Sequence, residues 1–235
     1  LGAGSGAKTL ELLPPLRARS PSLAYVPIDI SETALAALGR AVGAALPGLP
    51  IAPLAGDYFT ALAGRPAPGG PTLALFLGST IGNFGPAQAA AFLSRLRAAL
   101  RPGDALLIGF DLQKDPRRLQ AAYDDAAGLT ARFNLNLLAR LNRELGADFD
   151  LAAWAHHELY DPVQAAMVSY LLPRRAQAVR LAAGGDVYEF EAWEPICTEH
   201  SYKFSPARIA ALGTEAGLGA PVALYTDEAQ DCASA

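Results

Sequence analysis

Lysine is scarce in this 235-residue chain: only Lys8, Lys114 and Lys203 stand among 19 basic residues, the other 16 being arginine. Such a bias reflects GC-rich coding, and each of the three lysines falls in a stretch that other features single out. Cysteine is rarer still. Cys197 and Cys232 form no CxxC pair and no metal-ligand spacing, so they read as two free thiols in a reducing cytoplasm. Basic charge is not in excess; the net charge is −4, which removes the electrostatic reason to expect nucleic acid or an anionic membrane as partner. No apolar run reaches about 18 residues, so the sequence contains no membrane-spanning helix. GxSxG, a Walker lysine–serine pair and HExxH are all missing. His156-His157-Glu158 resembles a metal site at a glance, but neighbouring residues on a helix or strand point apart, and no metal is expected. There is no signal-peptide pattern, an absence that excludes little because the chain opens inside a motif.

What is present is a chain 51% hydrophobic, enough for one large or two modest globular domains. Residues 1–112 alternate strand-like and helix-like segments. AYVPIDI (24–30) is a short apolar run ending in an acid. SETALAALGRAVGAAL (31–46) opens with Ser31 as N-cap and Glu32 in the first turn. LPIAPLAGDY (49–58), TLALFLG (72–78) and ALLIGFDL (105–112) read as strands, with a helix over 86–104. This alternation predicts a parallel sheet covered by helices, with ligands at the carboxyl ends of the strands. From about 114 the character changes to two helices, followed by three β-like segments, 165–173, 176–185 and 187–197, that suggest a meander. A helix over 204–217, with Ser205 as cap and Pro206 at its first position, and a strand at 221–227 return to the first pattern. An α/β domain with an α+β segment inserted at 114–203 follows.

Six stretches carry polar residues where a sheet of this kind binds ligands. LGAGSGAKT (1–9) alternates Gly2, Gly4 and Gly6, permitting a tight turn and close backbone approach to a charged ligand. Asp29 ends the next strand, 25 residues after Gly4, where an acid accepts both ribose hydroxyls of an adenosine cofactor. Asp57 and Tyr58 end the strand after that, suited to an adenine amino group and ring. Two acids on consecutive strand ends fit S-adenosylmethionine better than NAD; helix capping is the plain alternative for each. LGSTIGN (77–83) offers Ser79, Thr80 and Asn83 to a zwitterionic substrate, or is a capped turn. FDLQKD (110–115) exposes Asp111 and Lys114, as a site or as a salt-bridged strand end. In TEHSYKF (198–204), an extended backbone puts Glu199, Ser201 and Lys203 on one face, where the first two can hold an imidazole or another NH-bearing ring; a solvated strand is the alternative.

In this order, LGAGSGAKT, YVPIDISETAL, GDY, LFLGSTIGN, GFDLQKDPRRLQAAYDD, FNLNLLARLNRELGADFD and TEHSYKF resemble the histidine Nα-methyltransferases of ergothioneine biosynthesis over nearly the whole chain. The resemblance implies a Rossmann-like class I fold, with residues 1–113 and 204–235 binding S-adenosylmethionine and an inserted α+β substrate-binding domain at 114–203. It implies that Gly2, Lys8, Asp29, Asp57 and Tyr58 bind the cofactor, the family more often having Phe where Tyr58 stands. Asn83 and Tyr123 would hold the substrate's amino and carboxylate groups. Glu199 and Ser201, with His200 between them, would recognise the imidazole, and Met167 would line the same pocket. The implied reaction converts L-histidine to Nα,Nα,Nα-trimethylhistidine (hercynine), in a cytoplasmic enzyme expected to be a monomer. Related N-methyltransferases act on different amino acids, tryptophan and its derivatives among them; Glu199 favours histidine. A non-catalytic binder of amino acid or cofactor competes with these readings, and the intact Asp29, Asp57, Asn83 and Glu199 argue against it. An NAD-linked oxidoreductase competes too, and the second strand-end acid disfavours it. The family places a helical segment and the first strand of the sheet ahead of the glycine turn, so the chain is expected to be a fragment with an incomplete histidine pocket.

Overall fold

The computed structural model describes residues 1–63, 69–182, 184–229 and 231–235. The chain divides into two compact units, one of Leu1–Ile81, Pro86–Phe110 and Pro206–Ala235, the other of Gly82–Gly85 and Asp111–Ser205. The first unit begins with the glycine turn: Gly2, Gly4 and Gly6 all take positive φ, +61°, +51° and +70°. That conformation leads directly into α1 (Ala7–Arg19), which runs through Pro14 and Pro15. Interior prolines ordinarily break a helix. Here Leu13 is buried with Leu38, Val42 and Leu49, so tertiary burial holds a helix that local propensity opposes.

β1 (Ile28–Asp29) and β2 (Leu54–Ala55) pair in parallel, Ile28 opposite Leu54 and Asp29 opposite Ala55. Between them lies α2 (Glu32–Ala45), capped as predicted by Ser31, whose Oγ accepts from the Ala34 N–H at 3.2 Å. α3 (Tyr58–Ala63) follows β2. β3 (Leu73–Phe76) and β4 (Ala105–Asp111) form a second parallel pair, joined by α4 (Pro86–Ala99). After α7 (Pro206–Glu215), β10 (Tyr225–Thr226) and β11 (Cys232–Ser234) add antiparallel strands to the β4 edge. Ile108 and Ala235 exchange both backbone bonds there, at 2.8 and 3.0 Å. The strand–helix–strand order with parallel pairing is that of a Rossmann-like α/β unit, and β1, β2 and β3 all deliver their carboxyl ends to short polar turns.

The second unit holds α5 (Pro116–Tyr123), α6 (Leu129–Leu145) and an antiparallel sheet in the order β5 (Trp154–Asp161), β6 (Ala166–Pro173), β9 (Ile196–Tyr202). Asp115 caps α5, accepting from the Arg117 N–H, and Gly146 ends α6 in the left-handed region. The meander expected over 165–197 is corrected here. β7 (Gln177–Arg180) and β8 (Val187–Phe190) form a separate hairpin. The chain then turns through Trp193, at φ +67°, and Pro195 before β9 starts. β5, with three polar residues in sequence, has too little apolar alternation to be recognised as a strand; Trp154 at its start supplies the anchor. Its ring meets Phe149 edge-on at 5.6 Å and joins Leu138, Leu171 and Val179 in the core of this unit.

Candidate active site

The cofactor candidates all lie in the first unit and gather around the glycine turn. The Gly4 N–H donates to Asp29 Oδ2 at 2.8 Å, and Asp29 Oδ1 accepts from the Ser31 N–H at 3.0 Å. Asp29 therefore ties the loop to the end of β1. A Cβ on Gly2 would stand 3.1 Å from Tyr58 Oη, so the missing side chain lets the loop approach Tyr58. The Tyr58 ring packs edge-on against Phe76 and Phe92, both at 5.7 Å. Burial, with the nearby Asp29 charge adding to it, raises the Tyr58 hydroxyl above its ordinary pKa. Asp57 Oδ1 accepts from the Phe59 and Thr60 N–H groups at 3.0 and 3.1 Å. The helix-capping alternative thus describes one of its oxygens, and the Thr60 side-chain bond is the first cause that holds its pKa low. Lys8 Nζ lies 3.3 Å from where a Gly78 Cβ would sit, reaching the turn after β3. This set fits an adenosyl cofactor: two strand-end acids, an aromatic ring and a glycine cradle that a Cβ would fill.

The substrate candidates belong to the second unit. Across β5, β6 and β9 two register rows share one face. Tyr160 stands opposite Met167 and Met167 opposite Ser201; Glu158 stands opposite Ser169 and Ser169 opposite Glu199. Tyr123, at the end of α5, reaches the first row, with its hydroxyl 2.8 Å from Ser201 Oγ. Gly82 abuts β9 so closely that a Cβ there would stand 2.8 Å from the Tyr202 carbonyl oxygen, which sets its neighbour Asn83 beside the end of that strand. Met167, Tyr123, Glu199 and Ser201 are thereby brought to one face. His200 is not: it pairs with Val168, points to the opposite face and stacks on Tyr202 at 6.0 Å.

Two groups that motif reading left unassigned complete this face. Lys203 is buried, and its Nζ lies 2.7 Å from both Tyr123 Oη and Ser201 Oγ and 2.9 Å from Asp111 Oδ2. Asp111 Oδ1 takes the Lys114 ammonium at 2.8 Å, so the salt-bridged strand end is real and is also tied, through Lys203, to the face that carries the substrate candidates. The alternation of Glu199 and Ser201 on β9 with Lys203 just past its end was the signal that links Lys203 to it. Glu158 is the other. It is buried, accepts from the Ser169 hydroxyl, and has His156 Nε2 at 3.5 Å. Burial, then the neighbouring Glu199 and Asp124 charges, push its carboxyl up to about 7 against the opposing Ser169 bond. No spacing rule could have shown this, because it depends on which strands flank β5. β9 is braced from behind its row by Thr198, which donates toward Asn134 Oδ1 at 2.9 Å and the Ser169 carbonyl at 3.1 Å.

The chain is 45% identical over 218 residues to the histidine N-alpha-methyltransferase of Mycolicibacterium smegmatis, covering 93% of this chain and 68% of that protein. It is 42% identical over 231 residues to the histidine N-alpha-methyltransferase of Mycobacterium tuberculosis, covering 98% and 71%. Ergothioneine biosynthesis protein 1 of Schizosaccharomyces pombe is 34% identical over 132 residues, 56% of this chain and 17% of that protein. The model of the SAM-dependent, histidine-specific methyltransferases matches residues 1–235, and the chain belongs to that family.

Proposed function

We propose that this chain methylates the α-amine of L-histidine three times in succession, forming the trimethylammonium betaine of ergothioneine biosynthesis. S-adenosylmethionine supplies a methyl already activated on a sulfonium. The protein's task is therefore alignment of amine and methyl in a site that excludes water. The first unit would bind the cofactor through Gly2, Lys8, Asp29, Asp57 and Tyr58. The second would bind the amino acid: Asn83 and Tyr123 orienting its amino and carboxylate end, Glu199 and Ser201 its ring, and Met167 filling the space beside them. The ammonium loses one proton before each transfer, so the amine has to be presented to the methyl with its lone pair free. A monomer in the cytoplasm is part of the proposal. Both cysteines are exposed and neither forms a disulfide among the described residues, and no helix among those residues is long and apolar enough to cross a membrane.

The observation that carries the histidine reading is the juxtaposition on one sheet face of an acid, Glu199, with a hydroxyl pair, Ser201–Tyr123. An apolar aromatic ring gives Glu199 nothing to pair with; an imidazole N–H does. The assay is incubation with S-adenosylmethionine and each amino acid, with mass spectrometry of the products. Histidine gaining three methyls is the expected result, and methyl gain on tryptophan instead of histidine overturns it. Glu199→Ala is expected to weaken histidine binding about tenfold or more, since a buried polar contact is worth about 1–3 kcal/mol, while cofactor affinity stays. Calorimetry returning an unchanged histidine affinity would remove Glu199 from the site.

A further inference from the structure

Glu158 is an acid that the reaction above does not use, and its placement calls for one. It occupies the same register row as Glu199, with Ser169 between them. One of its oxygens is committed to the Ser169 hydroxyl. The other, Oε2, is buried with no hydrogen-bond partner among the described residues, and the same holds for His156 Nδ1 on the next residue of that face. The two side chains are 0% and 2% exposed. A buried carboxyl oxygen without a partner is costly unless a proton or a ligand donor engages it. The adjacent row holds Met167 and Ser201, so the unpaired atoms lie in the neighbourhood where a ring would bind.

We propose that Glu158 is a second acid of the ring site, and that a substrate ring recognised by Glu199 is bound together with one proton shared between that ring and Glu158. The proposal rests on the reading of Glu199 as the ring-recognising acid. The titratable groups around Glu158 are Glu199 and Cys197 on β9, Asp124 at the end of α5, His156 on the same face of its own strand and His157 on the opposite face; β6 contributes the Ser169 hydroxyl. Two carboxylates in this setting favour a cation between them. An imidazole titrates near 6.5 and Glu158 near 7, so neither outcompetes the other for a proton by a wide margin, and the two titrate as one unit. Above that range the ring arrives neutral and Glu158 ionised, so the complex takes its proton from solution. Below it each arrives protonated and one proton is released. Glu158 then selects a ring that can both donate an N–H and accept a proton, a demand that an indole does not meet.

The test is calorimetric titration of L-histidine into the protein saturated with S-adenosylhomocysteine, which has no methyl to transfer. It is run at pH 8 in buffers of different ionisation enthalpy, for the wild type and Glu158→Gln. Protons exchanged at the α-amine are common to both and cancel in the difference. The wild type is expected to take up about one more proton per histidine than the variant, and its Kd to rise about tenfold more per pH unit between 7.5 and 8.5. Equal proton counts and equal slopes overturn the proposal. The count is per histidine bound, so partial misfolding of the variant lowers the number of sites without altering it. Should Glu158→Gln not fold, carboxyl carbon NMR of the glutamate-labelled wild type decides: a resonance titrating near 7 is expected to move upward when histidine is added, and an unmoved midpoint overturns the idea. Glu199→Ala run alongside separates the two readings. Unchanged histidine affinity there overturns the ring site and this proposal with it, whereas lost affinity there with an unchanged count in Glu158→Gln overturns this proposal alone.

Discussion

Lys203→Met is expected to destabilise the protein by about 3 kcal/mol and to weaken histidine binding while leaving cofactor affinity in place. The ammonium of Lys203 has three N–H donors, and three acceptors surround it: Asp111 Oδ2 at 2.9 Å, and Tyr123 Oη and Ser201 Oγ at 2.7 Å each. It also lies 4.6 Å from the centre of the Tyr123 ring. Removing one partner of a buried ion pair typically costs about 3–5 kcal/mol. The lower end applies, because Asp111 keeps Lys114 at 2.8 Å and is 20% exposed. Methionine matches the lysine stem in length, so little of the loss comes from packing. The functional effect follows from the hydrogens. Tyr123 and Ser201 lie 2.8 Å apart, so one hydroxyl donates to the other while both accept from Lys203. The pair therefore presents a single O–H to a ligand. Without the ammonium the two hydroxyls keep only their mutual hydrogen bond, in which either can be the donor, so the O–H that meets the substrate is no longer fixed. For a chain of this size the stability change corresponds to a fall in Tm of about 6–12 °C. A variant with wild-type Tm and wild-type histidine affinity would show that the ammonium is neither a structural nor a positioning element.

Gly6→Ala is expected to cost about 2–5 kcal/mol and to weaken cofactor binding. Gly6 has φ +70°, a conformation that costs an L-residue roughly 1–2 kcal/mol. A Cβ there would also stand 2.1 Å from Leu38 Cδ1. A leucine methyl can often swing aside, but Leu38 is 1% exposed and packed among Leu13, Val42 and Leu49, and displacing a well-packed core side chain costs about 1–3 kcal/mol more. The strain falls on the turn that Asp29 holds through the Gly4 N–H. Denaturant unfolding and S-adenosylmethionine titration read the two effects. Gly4, where an added Cβ would meet nothing within 4 Å, is the control: Gly4→Ala meets only the backbone penalty, and a Gly6→Ala effect no larger than that would refute the steric account.

Much of the fold could be read along the chain because its signals are local. Ser31 caps α2 as its position before an Ala/Leu helix requires, and β3 and β4 are the continuous apolar runs that a doubly covered parallel sheet demands. The elements that escaped are those whose cause is distant. α1 carries Pro14 and Pro15 and is held by burial of Leu13 against α2. β5 is polar in its middle because Glu158 and His156 find partners on β6 and α5. The hairpin of β7 and β8 breaks what looked like one meander at Trp193.

The sequence by itself determined the chemistry on offer: a glycine turn followed by two strand-end acids, and an alternating Glu199, Ser201, Lys203 on a strand. These are properties of spacing, and spacing along a strand or between a turn and the next strand survives without tertiary information. Only the tertiary structure decided which of those groups meet. It brought Tyr123 from α5 to Ser201 and buried Lys203 between them. It put Glu158 in one row with Glu199 across an intervening strand, because antiparallel register pairs residues far apart in sequence and leaves no trace in the order of the residues.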